Sequence, residues 1–420
     1  MSCGFDPRPR HFFGLSFMNQ LTLANRNIKL YVFVRIFAKR VFLPLSAIYF
    51  MDSAGFTIRD IGILAAFYSL VQLVAEVPTG YFADRVGRVA SLRLGGLSLT
   101  IATLCFVLFP SHAGIFTGVF FEALGYSFLG GAGEAMIHDS LVVKGQEHEY
   151  TKVMSRTMSI SLVANAILLA LVPMTYALNP RYPFIIGALA YFALFMAAVF
   201  MRDVTRTTPT AKFFWPVLSQ VVGKRFVLLF GLTFGIIGAL YIAPTDFVFV
   251  ALREYGIAPA YLGWIIAASS VVGAAMGPFI PFLRSLKLSS YILIDLFVLV
   301  SLYLAVFSHS ASLLAVVLTA SLGFWRYRKI IYQSYLLHKY PGAYKATLLS
   351  TMSNLEQLNN VWLTLAIASS VAYLGIAHGF GIMAIFALLI APIYLYATLR
   401  FFRRTTPLPV ALANPPQDIV

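Results

Sequence analysis

The sequence predicts an all-α membrane protein of twelve transmembrane helices, arranged as two six-helix bundles related by a pseudo-repeat. Three observations lead there. Of 420 residues, 60% are hydrophobic and only 11% charged, with a mean hydropathy of +0.82; soluble domains carry about 25% charged residues. Apolar runs recur along nearly the whole chain at the length of about 20 residues that a bilayer requires. Lys and Arg alternate so unevenly between successive loops that the number of spans must be even.

The apolar runs are 28–51, 59–82, 89–110, 114–141, 155–178, 182–201, 226–250, 259–282, 288–307, 312–337, 346–373 and 379–401. Strands of a membrane barrel would be about 10 residues long and alternate polar with apolar. These runs do neither, so helices are expected. With the N-terminus inside, the cytoplasmic segments hold 22 Lys and Arg, and the outer segments hold three, Arg59, Arg181 and Arg253. A multi-pass protein of the plasma (cell inner) membrane with both termini cytoplasmic is expected.

The chain divides into a cytoplasmic N-terminal segment (1–27), a first bundle (28–201), a cytoplasmic linker (202–224), a second bundle (225–402) and a flexible tail (403–420). Within the linker, Lys212-Phe213-Phe214-Trp215 suits either a membrane interface or a plain connection. The first 27 residues contain no short apolar stretch ending in a cleavage site, so the first span is expected to direct insertion.

The net charge of +15 follows from basic cytoplasmic loops, and no basic–aromatic cluster on a polar domain points to nucleic acid. Cys3 and Cys105 suggest neither a disulfide framework nor a metal site, and no cofactor is expected. The absence of a Gly-rich phosphate loop argues against direct ATP drive. No loop is long enough to carry a catalytic set. The expected partners are a lipid bilayer and a small molecule, with protons as a coupling ion, and the expected state is a monomer.

After span two the chain reads Gly80-Tyr81-Phe82-Ala83-Asp84-Arg85-Val86-Gly87-Arg88. Gly80 would let two helices approach closely, Gly87 would permit a tight turn, and Arg85 and Arg88 can pair with Asp84. This segment resembles the signature loop between spans two and three of the major facilitator superfamily. The loop after span eight, Leu283-Arg284-Ser285-Leu286-Lys287, keeps the two basic positions but lacks the acid and the glycine. The resemblance implies a secondary transporter working by alternating access. It also implies that Asp84 latches against the second bundle and closes the cytoplasmic side.

Glu76-Val77-Pro78-Thr79 and the segment from Gly133 to Leu141 are similar to a bacterial branch of that family associated with drug or metabolite efflux. Two departures weigh against proton-driven export. Span five, Ala166 to Pro173, has no glycine beside its proline, and span four carries acids in place of the family's arginine.

Ionisable residues at membrane depth are costly and mark pathways. Span one holds Arg35, Lys39 and Arg40; span four holds Glu122, Glu134, His138 and Asp139; span seven holds Asp246; span ten holds Arg326, Arg328 and Lys329. By the resemblance, these four spans line a central cavity. The candidate lining is therefore Arg35, Lys39, Glu122, Glu134, Asp246, Trp325, Arg326 and Lys329, with Glu122, Glu134 or Asp246 as proton carriers. Arg35/Lys39 and Arg326/Lys329 each share a helix face. Arg40 and Arg328 point off those faces and are expected to be structural. Asp139 is expected to pair with Arg156, and Glu76, Asp295 and Glu356 to serve packing or gating.

The expected solute is small, organic, and anionic or zwitterionic. An alternating-access secondary transporter is the leading expectation, with proton-coupled efflux by antiport as one form of it. An uncoupled facilitator or an importer is the alternative within transport, and a receptor or enzyme on the same scaffold is the alternative outside it.

Overall fold

The computed structural model describes residues 10–204, 229, 231–276, 279, 282–283, 286–337 and 345–404. Side chains of 10–19, 326–327, 329–330, 333–337, 345–351 and 401–404 fall outside that description, as do most of the expected linker and the tail beyond 404. The expectations for Arg284, and for the side chains of Arg326 and Lys329, therefore lie outside the described residues.

Among the described residues there are helices and no strands. The helices form twelve successive passages, here called spans one to twelve. Nine of them are long and apolar enough to cross a membrane. Of the other three, one carries Arg35, Lys39 and Arg40, ten carries Arg326, Arg328 and Lys329, and span eleven carries Asn354, Glu356, Gln357, Asn359 and Asn360. Span one starts earlier than its apolar run, since its helix is continuous over Arg10–Phe37.

Local chemistry sets several ends. Thr57 and Asp60 form a reciprocal capping box at the start of span two, Ile58–Arg85. Ser111 caps span four, accepting from the Gly114 amide at 3.2 Å. Span three, Arg88–Leu108, is capped from a distance: Asp203, just past span six, accepts from the amides of Arg88 (3.0 Å) and Val89 (3.2 Å). In return, the Arg93 guanidinium donates to the carbonyls of Ala198, Val199 and Met201 at the end of span six.

Among the described residues, three spans are interrupted. Span one unwinds over residues 38–42 and resumes through a 3-10 turn, Leu43–Leu45, into Ser46–Ala54. Pro44 has no N–H for the Arg40 carbonyl and disfavours helix at the residue before it. Span four breaks at Gly130-Gly131, where Gly131 has φ +71°. Span seven begins as a π-turn, Gly231–Ile236, and breaks at Ala243-Pro244 before Thr245–Glu254.

The two bundles meet along spans two and eleven, spans five and eight, and the second halves of spans one and seven. Around the outside, Val74, Phe297, Val316 and Leu389 stay exposed, the apolar surface that lipid would cover.

Candidate functional site

Between the bundles lies a cavity of about 240 Å³. The interrupted helices place its charges. Arg40 comes from the unwound turn of span one, and Asp246 from the first turn after the break in span seven. Irregular backbone at membrane depth is tolerated where it lines a cavity. Arg40 grips Glu122 of span four through Nε and Nη2, in a two-pronged ion pair. Glu122 is 1% exposed, so its charge depends on that partner. Asp246 has Arg40 and Glu122 as its charged neighbours. The Tyr68 ring stands 5.2 Å from the Arg40 guanidinium.

Span eleven supplies the polar wall. Asn360 donates from Nδ2 to Ser69 Oγ at 2.7 Å, and Gln357 donates to Gln72 Oε1 at 3.0 Å, each across the two bundles. Asn360 and Thr364 line the same cavity, and Asn360 Oδ1 and Thr364 Oγ1 are buried without hydrogen-bond partners.

The end of the molecule beyond this cavity is shut. Arg253 Nη1 lies 2.8 Å from Asp52 Oδ1, joining the ends of spans seven and one, and Tyr176 of span five donates to Asp52 Oδ2 at 3.1 Å. Below them, span two presses on span eleven at Gly62. A Cβ at Gly62 would stand 2.1 Å from that of Ala368.

Other sequence candidates lie elsewhere. Arg35 and Lys39 line a second cavity between spans one, five and eight. Glu134 is exposed and, with Arg35, neighbours Tyr31; neither it nor Trp325 is among the side chains lining the two cavities. Trp325 packs instead on Tyr241, ring centroids 5.2 Å apart.

The broken helix places two residues differently from expectation: Arg40, expected to be structural, lines the central cavity, and Lys39 lines the second one. The face assignment assumed a continuous helix, and unwinding at 38–42 turns Arg40 away from the register of Arg35. A sequence signal existed: Pro44 and Pro244 interrupt spans one and seven, corresponding helices of the two halves, and paired interruptions mark transporter sites. Asn360 and Thr364 carried no such signal.

In the signature loop, Asp139 pairs with Arg88, not Arg156. Arg88 Nε sits 2.8 Å from Asp139 Oδ2 but off its N–H direction, so the contact is an ion pair and not a hydrogen bond. Arg88 Nη2 is 3.7 Å from Asp84. Arg85 lies over the Tyr81 ring at 5.4 Å. Gly87 is required, with φ +154° and Asp203 Oδ2 only 2.5 Å from where a Cβ would stand. Gly80 makes no close approach, since a Cβ there would meet open space.

The second bundle holds its own buried ion pair. Arg328 Nε donates to both oxygens of Asp295 at 2.9 Å, and Tyr332 and Tyr394 each donate to Asp295 Oδ2 at 3.1 Å. Arg328 Nη2 has no hydrogen-bond partner. Four rings, Phe234, Tyr241, Trp325 and Tyr332, surround the guanidinium at 5.0–5.9 Å and stabilise it by cation–π attraction. Arg328 and Asp295 thus hold each other, and neither is among the residues lining the two cavities.

A two-bundle helical molecule with a charged cavity at the bundle interface is the architecture of a membrane transporter. Residues 30–361 match the Major Facilitator Superfamily, and the chain belongs to that family. It is a multi-pass membrane transporter and not an enzyme. It is 25% identical to an uncharacterized MFS-type transporter, YxaM, of Bacillus subtilis (strain 168), over 86% of this chain and 92% of that one. A 103-residue stretch is 31% identical to the vesicular acetylcholine transporter of Tetronarce californica, covering 24% of this chain and 18% of the relative. Among solved structures, the nucleoside transporter NupG superposes with TM-score 0.77 at 11% identity, covering 90% of this chain and 99% of that one. The POT family transporter PepTSo superposes with TM-score 0.71 at 13% identity, covering 90% and 99%. These superpositions establish the fold.

Proposed function

We propose that the protein exchanges protons for a small zwitterionic or cationic organic solute by alternating access, as an efflux antiporter of the plasma membrane. The observation that carries this is the meeting, in one cavity, of Arg40 from one bundle with Asp246 from the other, while Glu122, itself outside the lining, holds Arg40. Arg40 and Glu122 neutralise each other, so among the described residues Asp246 supplies the net charge. It can hold a proton or the solute's ammonium group, but not both. That competition couples the two movements. The unengaged Nη1 of Arg40 is available to a solute carboxylate, and the orphan Asn360 Oδ1 accepts from a solute donor. A purely anionic solute would meet Asp246 unfavourably, which supports a zwitterion over an anion. The relative named for acetylcholine carries a cation, in keeping with an acidic site.

The closed Asp52–Arg253 end faces outward if the count of 22 against three sets the orientation. The cavity is then poised toward the cytoplasm, both termini are cytoplasmic, and Asp84 serves as the opposing latch. Proteoliposomes tested with labelled cationic, zwitterionic and anionic solutes, with and without a pH gradient, check this. Gradient-driven flux of an amine-bearing solute is expected. Flux confined to anions, or indifferent to the gradient, would overturn it.

A further inference from the structure

The unwound turn of span one, 38–42, is held by its neighbours at every second residue. A continuous helix would give the Ala38 carbonyl the Phe42 amide as its donor. Here the Tyr126 hydroxyl of span four donates to that carbonyl at 3.1 Å. Arg40 is gripped by Glu122, one turn earlier on the same face of span four. The Phe42 ring sits on Gly187 of span six, where an added Cβ would stand 2.5 Å from it. Phe184 and Tyr191 flank that glycine in sequence, with ring centroids 4.8 and 6.2 Å from that of Phe42. Tyr191 is fully buried, and its hydroxyl lies 2.8 Å from that of Tyr126. Because the Tyr126 proton is directed at Ala38, Tyr191 donates to Tyr126.

A backbone carbonyl freed at membrane depth needs a replacement donor, and Tyr126 is that donor for Ala38. The turn also divides the two cavities. Ala38 and Lys39 line the second, whereas Arg40 and Leu43 line the central one. Which side chain of the turn reaches Asp246 therefore depends on how the turn is held. Neither Tyr126 nor Tyr191 is among the residues lining the two cavities, so their hydroxyls act on the turn and not on a solute.

We propose that Tyr126, backed by Tyr191, is a positioning residue: its hydroxyl fixes the unwound turn and so presents Arg40 to the central cavity. A binding group is effective when a supporting layer locks its geometry. That Arg40 then meets a solute rests on the exchange reading above; the clamp on the turn does not.

The test compares wild type with Tyr126→Phe, full length in an uncharged detergent, by two readouts that need no solute. The first is amide hydrogen exchange, resolved by peptide. Exchange over 38–43 should quicken about tenfold, the scale of one hydrogen bond lost from a buried carbonyl, with peptides of the second bundle unchanged. The second is the rate of phenylglyoxal addition to Arg40, located by peptide mass. It should rise by a similar factor, while Arg93, held by carbonyls at the end of span six, reacts as in wild type. General loosening would move both arginines and both bundles. Should Tyr126→Phe fail to fold, Tyr191→Phe decides, because it removes only the supporting hydroxyl; the same localised changes are expected in smaller size. Rates equal to wild type, or a quickening spread evenly over both bundles, would overturn the proposal. Such a result leaves proton exchange standing, and absence of flux in proteoliposomes leaves the clamp standing.

Discussion

Arg40 and Glu122 depend on each other. A buried guanidinium with its carboxylate removed costs about 3–5 kcal/mol, whereas replacing both partners by apolar groups is often neutral. Glu122→Gln should therefore lower the unfolding midpoint markedly. Arg40→Met/Glu122→Leu should recover most of that stability and still fail to transport. Thermal unfolding beside flux checks both, and a single variant as stable as wild type would contradict the pairing. Asp295 and Arg328 provide a second instance without a cavity: Asp295→Ala should destabilise by a similar amount. At this scale the sequence was legible for residue type and not for placement. The buried charges stood out against 11% charged residues, but Arg40 and Lys39 could not be assigned to their cavities, because one turn of unwound backbone decides which of them lines the cavity with Asp246. Asn360 and Thr364 were not singled out, since span eleven carries several polar residues and nothing in the sequence says which of them face a cavity.

At the scale of elements, the broken helices and the caps carry the function. The run lengths foretold most spans to within a few residues, because hydropathy reports burial in lipid directly. They did not foretell the breaks, whose cause is local: Pro44, Gly131 and Pro244. Nor did they foretell long-range capping of span three by Asp203. Asp203→Ala should cost about 1 kcal/mol, as for loss of an N-cap, measured as a shift in the unfolding transition. The proposed gate at Asp52 and Arg253 is an element-scale device too. Asp52 and Arg253 are 36% and 39% exposed, so their pair contributes only about 0–1 kcal/mol. Asp52→Asn should raise the population open to the outside by up to about fivefold, the factor that 1 kcal/mol allows. In a background of Cys3→Ser and Cys105→Ser, the labelling rate of Ala65→Cys in the cavity by an impermeant maleimide reports it. A rate equal to that without Asp52→Asn would remove the gate from the account.

For the whole molecule, alternating access requires that the two bundles close at one end while they part at the other. Span two meets span eleven at Gly62 with no room for a side chain. Gly62→Val should keep the ends apart, so that outside labelling of Ala65→Cys rises and flux is lost while the unfolding midpoint stays within a few degrees of wild type. The twofold plan of the molecule was legible in the sequence as six runs, a polar stretch and six more; the sign of its cavity was not, because that sign is set by which charges from two separate bundles face one another.

The measurement that tests the central claim most directly is flux of the amine-bearing solute in proteoliposomes under an imposed pH gradient, for wild type and Asp246→Asn side by side. Asparagine keeps the size of the side chain and fixes it without charge. Wild type should move solute against its gradient when protons run the other way. Asp246→Asn should lose that response entirely while keeping its fold. A variant that still accumulates solute in step with the pH gradient would contradict the account, because proton and solute would then not be competing for Asp246.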